Sequence, residues 1–318
     1  MSLGPVPQDT AFALAPTVVA QADVPAEVQD VVAAYETRGV WRLALEVFVE
    51  HRLALIGVGI VIFMVLFCFA GPLIYQTDQI NSDLVNSRLT PGHGHLLGTD
   101  VAGYDVLGRL MVAGQTSIEV GLAAAIIATG FGVLWGAVAG YVGGVVDAVM
   151  MRFVDVLLAI PQLYLLLFLV VAFTANIVTL ILVVALTSWL IPARLIRGET
   201  LTLRTREYVQ AVRMMGGRGG RVVIRHIVPN TVGTIMVNAT FQVADAILLV
   251  AYLSFLGLGI APPATNWGAM LTDGVTYIYN GYWWLIYPAG LAIVLTVVAF
   301  NFIGDGLRDA MEVRLQRR

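Results

Sequence analysis

The sequence contains no lysine, so all 18 of its basic residues are arginines. A phosphate-binding loop of the GxxxxGK[ST] type requires a lysine beside the nucleotide phosphates, and the chain therefore has no standard site for ATP hydrolysis. The HExxH and GxSxG motifs of hydrolases and the TVGYG filter of potassium channels are missing as well. An intramembrane enzyme and a passive channel therefore remain only as distant alternatives.

Cysteine and histidine are also scarce. The single cysteine, Cys68, lies in an apolar segment, so the chain has no disulfide framework and we expect this thiol to be packed and inert. His93 and His95 flank Gly94, but the sequence offers no third ligand for a metal ion beside them. We predict no metal site and no catalytic residue.

Charged residues make up only 12% of the chain, whereas 58% of it is hydrophobic and the mean hydropathy is +0.84. Uncharged apolar stretches close to the ~20 residues that a membrane-spanning helix needs recur along it. We therefore predict an all-α integral membrane protein with six transmembrane helices. The third and fourth helices come from one uncharged run, which we divide at residues 174–176. The expected spans are residues 53–75, 118–141, 156–173, 177–191, 231–257 and 283–303.

The distribution of arginine predicts the orientation. With both termini in the cytoplasm, 16 of the 18 arginines lie on the cytoplasmic side, and only Arg88 and Arg109 lie outside. Arginine and lysine are enriched in cytoplasmic loops, and the opposite topology would reverse that count.

The N-terminal residues differ from the rest of the chain. Residues 1–38 are rich in Pro and Ala and lack the basic segment that opens a signal peptide, so we expect a disordered cytoplasmic extension. In residues 39–52, Trp41, Leu45 and Phe48 recur at helical spacing, which predicts a helix at the membrane interface. The alternative is that this helix is the start of the first span. Residues 53–318 form the six-span domain.

An arginine-rich segment separates the fourth and fifth spans. Eight arginines and two glutamates lie between residues 194 and 229. We expect a helix over residues 199–215, with Leu201, Tyr208, Ala211, Val212 and Met215 on one apolar face. Gly216 and Gly217 would end it, and Pro229 would begin the next helix. Residues 198–230, here called the coupling segment, are predicted to dock a cytoplasmic partner. The alternative is an ordinary positively charged loop.

The coupling segment resembles the cytoplasmic EAA loop of ABC importer permeases, written EAA, three residues, Gly, nine residues, I-x-L-P. The sequence EYVQAVRMMGGRGGRVVIRHIVPN begins at Glu207 and ends at Asn230. Gln210, Ala211 and Val212 occupy the EAA positions, and Gly216 occupies the glycine. The chain departs from the pattern at Gln210 and also at His226 and Val228, which precede Pro229. The resemblance implies ATPase contacts by Glu207, Tyr208, Gln210, Ala211, Arg213, Gly216, Gly217, Arg218 and Pro229.

Three further segments resemble the same family. They are HLLGTDVAGYDVLGRL from His95, SFLGLGIAPPATNWGAML from Ser254 and FNFIGDGLRDAMEVRL from Phe300. Together they are similar to the second permease of dipeptide, oligopeptide and nickel importers. The resemblance implies a type I ABC importer permease-like fold in the bacterial cytoplasmic membrane. It also implies a homologous second permease, two ATPases that bind ATP and Mg, and an extracytoplasmic solute-binding protein. Membrane lipids are further partners, and no nucleic acid is expected.

Polar residues in the fifth span form a candidate translocation pathway. Asn238, Gln242 and Asp245 are spaced i, i+4 and i+7 and therefore share one helix face. A carboxylate in the membrane costs at least ~2.5 kcal/mol unless it faces water or a partner. We predict that this face lines the solute pathway. The alternative is a structural hydrogen bond to a neighbouring helix.

The external loop, residues 76–114, is too long for a simple turn. Asp100, Asp105 and Arg109 are its candidate functional residues, with contact to the binding protein or a lid over the pore as the functional hypothesis. A folded cap is the alternative. For the whole chain, the main hypothesis is a non-catalytic peptide permease, and a permease for nickel, glutathione or another small solute is the alternative.

Overall fold

The computed structural model describes residues 40–92, 94–173 and 176–316. Every regular element in these ranges is a helix, and the β-structure is limited to two isolated bridges in the external loop. The α-helices are α1 Val40–Glu50, α2 Arg52–Phe69, α3 Gly71–Ile74, α4 Val106–Val142, α5 Gly144–Leu158, α6 Gln162–Ala172, α7 Ile177–Ser188, α8 Leu190–Leu203, α9 Glu207–Met214, α10 Gly219–Val222, α11 Val232–Leu253, α12 Trp267–Val275 and α13 Tyr287–Gln316, and short 3₁₀ or π-helical turns lie between some of them.

Four described segments are long and apolar enough to cross a membrane: Arg52–Ile74, Val106–Val142, Val232–Leu258 and Trp283–Glu312. Two bent helix pairs also qualify, α5 with α6 at an angle of 86° and α7 with α8 at 41°. If each pair crosses once, the chain has the six expected spans. At 1.5 Å per residue α4 is roughly 55 Å long, so it extends beyond a hydrocarbon core of about 30 Å.

The third and fourth spans differ from the sequence prediction. Residues 156–173 are not one helix, because the chain turns between Leu158 and Gln162. Pro161 explains the break, since a residue before proline is disfavoured in helical conformation. The fourth span continues beyond residue 191 as α8. Its predicted start is confirmed, because Asn176 Oδ1 accepts a hydrogen bond from the Thr179 N–H at 2.8 Å.

Helix α4 is the centre of the bundle, and its closest neighbour is α8. Three glycines one turn apart, Gly132, Gly136 and Gly140, form a groove along α4 that receives α8. A Cβ at Gly132 would lie 2.7 Å from Pro192 Cβ, and one at Gly140 would lie 2.8 Å from Thr200 Cβ. Small residues spaced in this way let two helix backbones approach closely, which drives helix association in membranes.

Helices α11, α13 and α2 pack beside one another in that order, and α11 and α2 also contact α4. Trp267 on α12 is fully buried in a cluster with apolar side chains of α2, α11 and α13, and it donates its indole N–H to Leu110 O of α4 at 3.0 Å. Cys68 is also fully buried, as expected of a packing thiol. Large apolar side chains such as Phe63, Phe168 and Leu291 cover the outside of the helices. This surface suits lipid or neighbouring subunits.

The N-terminal unit, residues 1–43, is described only from residue 40, where α1 begins. The predicted extension and the side chain of Trp41 lie outside the described part of the chain. In the unit formed by residues 44–318, Phe48 packs beside Ala310 and Met311 of α13, whereas Leu45 is exposed. The interfacial role of α1 stays a prediction.

Candidate functional site

The coupling segment contains two helices where the sequence suggested one. Helix α8 ends at Leu203, and α9 begins at Glu207 after a break at residues 204–206. The prediction of one helix over residues 199–215 is therefore wrong. At the break, Arg204 turns back and donates from Nη1 to Gly140 O at 2.9 Å, which fixes the end of α8 to α4. Glu199 lies on α8 and accepts a hydrogen bond from the hydroxyl of Thr234 on α11.

The glycine end of α9 is confirmed. Gly216 has a φ of 80°, in the left-handed region that favours glycine. Its N–H donates to Arg213 O and the Gly217 N–H donates to Val212 O, both at 3.0 Å. This pair of bonds defines a Schellman motif, which satisfies the free carbonyls at a helix C-terminus. The motif sets the direction in which the chain leaves α9.

Helix α9 is attached to the bundle by one side. Val209 is fully buried against Val133, Ala137 and Ile196, and Val212 packs beside it. The apolar face expected from the sequence is thus wrong, because the break before α9 resets the helical register. The opposite side is open. Exposed residues of α9 and its C-terminal turn are Glu207, Tyr208, Gln210, Ala211, Arg213, Met214, Met215, Gly216 and Arg218.

Tyr141 at the end of α4 anchors the turn after α9. The Arg213 guanidinium lies over its ring, 5.4 Å from the centroid. Gly219 faces the same ring, and a Cβ there would approach Tyr141 Cε1 to 3.0 Å. Beyond α10, one π-helical turn at Val223–Ile227 leads to the exposed Pro229, which precedes α11 rather than opening it.

Helix α8 is also bound to α5 by two ion pairs. Arg197 forms a bidentate contact with Asp147, with both N–O distances 2.7 Å. Arg194 contacts Asp155 at 2.5 Å. These arginines, together with the glycine groove, make α8 a firm link between α9 and the membrane bundle.

The predicted pathway residues separate into two groups. Gln242 and Asp245 line a cavity of about 340 Å³, which is bounded by both helix breaks. Asp245 is exposed in the single chain. Gln242 is buried and donates to Ser188 O at 2.8 Å, so the structural alternative also applies to it. Asn238 does not line the cavity, and its Oδ1 is buried without a hydrogen-bond partner among the described residues.

Sequence reasoning missed the residues that meet at the helix breaks. Gln162, which begins α6, lies 3.4 Å from Ser188 Oγ, and Gln242 approaches the carbonyl of the same Ser188. The signal in the sequence was Pro192, four residues after Ser188. Pro192 has no N–H, so it cannot donate to the Ser188 carbonyl. Broken helices around a cavity that contains polar side chains are typical of solute sites in transporters.

The external loop folds as a cap over the outer end of α4. Asp105 is the N-cap of α4 and accepts from the Gly108 N–H at 2.8 Å and from the Tyr75 hydroxyl at 2.9 Å. His95 Nδ1 lies 2.8 Å from the same carboxylate. His93 lies outside the described residues, and no cluster of three His, Cys, Asp or Glu side chains suited to a metal occurs in the described part.

Asp100 and Arg109 complete this cap and are both buried. Arg109 belongs to the first turn of α4, lies over the Tyr104 ring at 4.3 Å and donates to Pro263 O at 3.1 Å. Burial raises the pKa of Asp100 above its ordinary value, against the opposing effects of the Tyr104 N–H and Arg109. These contacts describe a folded cap, and a role in binding another protein stays a prediction.

Comparison with known proteins identifies the family. Residues 132–317 match the family model described as "Binding-protein-dependent transport system inner membrane component". This match covers more than half of the chain. The chain belongs to this family. Residues 39–91 match a second model, the N-terminal TM domain of oligopeptide transport permease C, so the membership extends to the first span.

Individual relatives agree over most of the chain. OppC, the oligopeptide transport system permease protein of Bacillus subtilis (strain 168), is 37% identical over 277 residues, 87% of this chain and 90% of the relative. DppC, the dipeptide transport system permease protein of the same strain, is 37% identical over 84% of each chain. OppC of Escherichia coli (strain K12) is 39% identical over 87% of this chain and 92% of the relative.

Membership of this family identifies the fold type and the cellular location of the chain. The helical bundle is the type I ABC importer permease fold, and the chain is a multi-pass bacterial inner-membrane protein. The family match begins within α4 and includes the coupling segment, the cavity and α13. The matched region therefore contains both the surface and the cavity that transport would use.

Proposed function

We propose that this chain is a transmembrane permease subunit of an ATP-driven peptide importer. The observation that carries the proposal is α9, a short helix fixed to α4 and α8 on one side and open on the other. Its exposed side carries Met214 and Met215, which are 90% and 78% exposed, next to Arg213 and Arg218. An apolar pair flanked by charges is a suitable docking surface for a partner.

This surface docks one of two ATPase subunits, which bind ATP and Mg themselves, and the matching surface of the second permease docks the other. A homologous second permease covers the exposed side of Asp245 and completes the pore, and an extracytoplasmic solute-binding protein delivers solute. This chain is then a non-catalytic subunit. The substrate assignment to dipeptides or oligopeptides rests on the names of the relatives, OppC and DppC.

The mechanism follows from how α9 is mounted. Closure of the ATPases on ATP displaces α9, and α8 moves with it because Val209 and the turn at Arg204 join them to the same end of α4. The movement reaches the breaks that bound the cavity and changes which side of the membrane the cavity faces. This is alternating access by movement of packed helices.

Reconstitution of the complex tests this function. Proteoliposomes containing this chain, the second permease, the ATPases and the binding protein should accumulate labelled oligopeptide only when ATP is supplied. The purified chain alone should not hydrolyse ATP. Parallel uptake of nickel and glutathione decides the substrate class. Uptake without ATP would identify a channel, and conversion of substrate by the isolated chain would identify an enzyme. Either result would overturn the proposal.

A further inference from the structure

The bend between α7 and α8 leaves one backbone carbonyl without its usual helical partner. In a continuous helix Ser188 O would accept a hydrogen bond from the N–H of residue 192, but Pro192 has none. The neighbouring carbonyl, Trp189 O, does find its partner in the Ala193 N–H at 3.0 Å. A free carbonyl inside a membrane must be satisfied by another group.

Gln242 supplies the missing donor. Its Nε2 lies 2.8 Å from Ser188 O, and both residues are only 6% exposed. Gln242 is on α11, one turn before Asp245, so this bond joins the bend to the helix that carries the candidate pathway carboxylate. A side chain from a neighbouring helix is one of the recognised ways to satisfy a proline-freed carbonyl.

The surroundings hold the α8 side of this joint firmly. Pro192 lies against Gly132 of α4, and Trp189 packs edge to face on Phe131 with ring centroids 4.7 Å apart. The α7 side is bent by 41° relative to α8. Movement of α8 is therefore transmitted at Ser188 to both α7 and α11.

We propose that Gln242 is a positioning residue that fastens the α7–α8 bend to α11, so that displacement of the coupling segment moves the pathway helix. The role rests on the proposed function of the chain. It differs from contact with solute, because the partner of the amide is a backbone carbonyl that Pro192 leaves free. The two roles make different predictions when position 192 regains an N–H.

A double-mutant cycle tests the assignment. Gln242→Met keeps the size of the side chain and removes the donor, and Pro192→Ala restores a backbone N–H for Ser188 O. Gln242→Met alone should lower the amount of peptide transported per ATP roughly tenfold. The reason is that leaving a buried carbonyl unpaired has a free-energy cost equivalent to about a factor of ten. In the Pro192→Ala background, Gln242→Met should lower the peptide transported per ATP less than about threefold. There Ser188 O accepts a hydrogen bond from the N–H of residue 192 and no longer depends on Gln242. In each background, Gln242→Met should change the KM for peptide by no more than about twofold, because the contacts that bind the peptide are left intact.

Three outcomes would overturn the assignment. They are equal losses in both backgrounds, no loss in either, and a loss confined to the KM for peptide, which would mean that Gln242 contacts the solute. If Gln242→Met prevents assembly, the amount of complex eluting intact from size exclusion replaces transport as the readout. Rescue of assembly by Pro192→Ala supports the assignment of Ser188 O as the partner of the Gln242 amide, and equal failure of the single and double variants refutes it. Thermal stability of the four complexes completes the same cycle without transport, so failure of the peptide-import hypothesis leaves this test informative.

Discussion

At the scale of single residues, Gly216 has a conformational rather than a steric role. Its φ is 80°, yet nothing lies within 4 Å of the position that a Cβ would take. Left-handed conformation costs most residues about 1–2 kcal/mol, whereas asparagine adopts it more readily. Gly216→Val should therefore abolish transport and ATPase docking while the chain still inserts, and Gly216→Asn should retain most of both. Co-purification of the ATPase measures docking, and equal retention of the ATPase by both variants would contradict this account.

Asp245 is the second residue whose role can be decided by substitution. It is exposed toward the cavity in the single chain, and among the described residues its side chain has no ion-pair partner within 4 Å. Asp245→Asn keeps the shape and removes the charge, so transport by the assembled complex should fall roughly tenfold, equivalent to about 1.4 kcal/mol, or its solute preference should change. Assembly and basal ATPase activity should persist.

Asp245→Leu is the matched comparison. An apolar residue is often tolerated where a polar group only faces another helix, so a structural role predicts normal transport by this variant. A pathway role predicts a loss at least as large as that of Asp245→Asn. Normal transport by both variants would remove Asp245 from the pathway.

At the scale of helices, the sequence predicted where apolar helices occur better than it predicted where those helices are broken. Uncharged length located the four continuous spans and the two bent helix pairs, because a bilayer imposes that length on any segment that crosses it. Breaks depend on single residues in context. Pro161 ends one helix, Pro192 accompanies a bend of 41°, and the break before α9 depends on Arg204 reaching Gly140 O. The two prolines can be read from the sequence, whereas the contact of Arg204 with Gly140 O can be recognised only when the neighbouring helix is known.

The candidate site shows the same division. Gly216 could be assigned from the sequence, since a glycine after a helix has a local conformational meaning. The pairing of Gln242 with Ser188 could not, because the two residues are 54 positions apart and meet only through tertiary packing. For the same reason Asn238 shares the helical spacing of Gln242 and Asp245 but not their cavity.

The α4–α8 interface gives a prediction about helix packing. A Cβ at Gly136 would collide with Ala193 O, whereas one at Gly130, on the same helix, would meet nothing within 4 Å. Overpacking of this kind costs about 1–3 kcal/mol. Gly136→Ala should lower the thermal stability of the detergent-solubilised chain, and Gly130→Ala should change it by no more than about 1 kcal/mol, the difference in helix propensity. Equal effects would mean that the groove does not hold α8.

At the scale of the whole molecule, every functional assignment depends on orientation. The coupling segment can meet ATPases only if it lies in the cytoplasm, and the cap formed by Asp100, Asp105 and Arg109 must then lie outside. The arginine distribution predicts this arrangement, since arginines favour the cytoplasmic side. Thiol labelling from one side of the membrane tests this orientation.

The single buried cysteine makes that measurement direct. Cys68→Ala yields a cysteine-free chain, into which Val85→Cys or Arg218→Cys places one exposed thiol in the cap or in the coupling segment. In intact cells a membrane-impermeant maleimide should label Val85→Cys, because residue 85 is 92% exposed, and should leave Arg218→Cys unlabelled until the membrane is permeabilised. Labelling in the reverse pattern would place the Schellman turn and the exposed Met214 and Met215 outside the cell. The docking surface could then meet no ATP-driven partner, and the proposed function would fail together with the orientation.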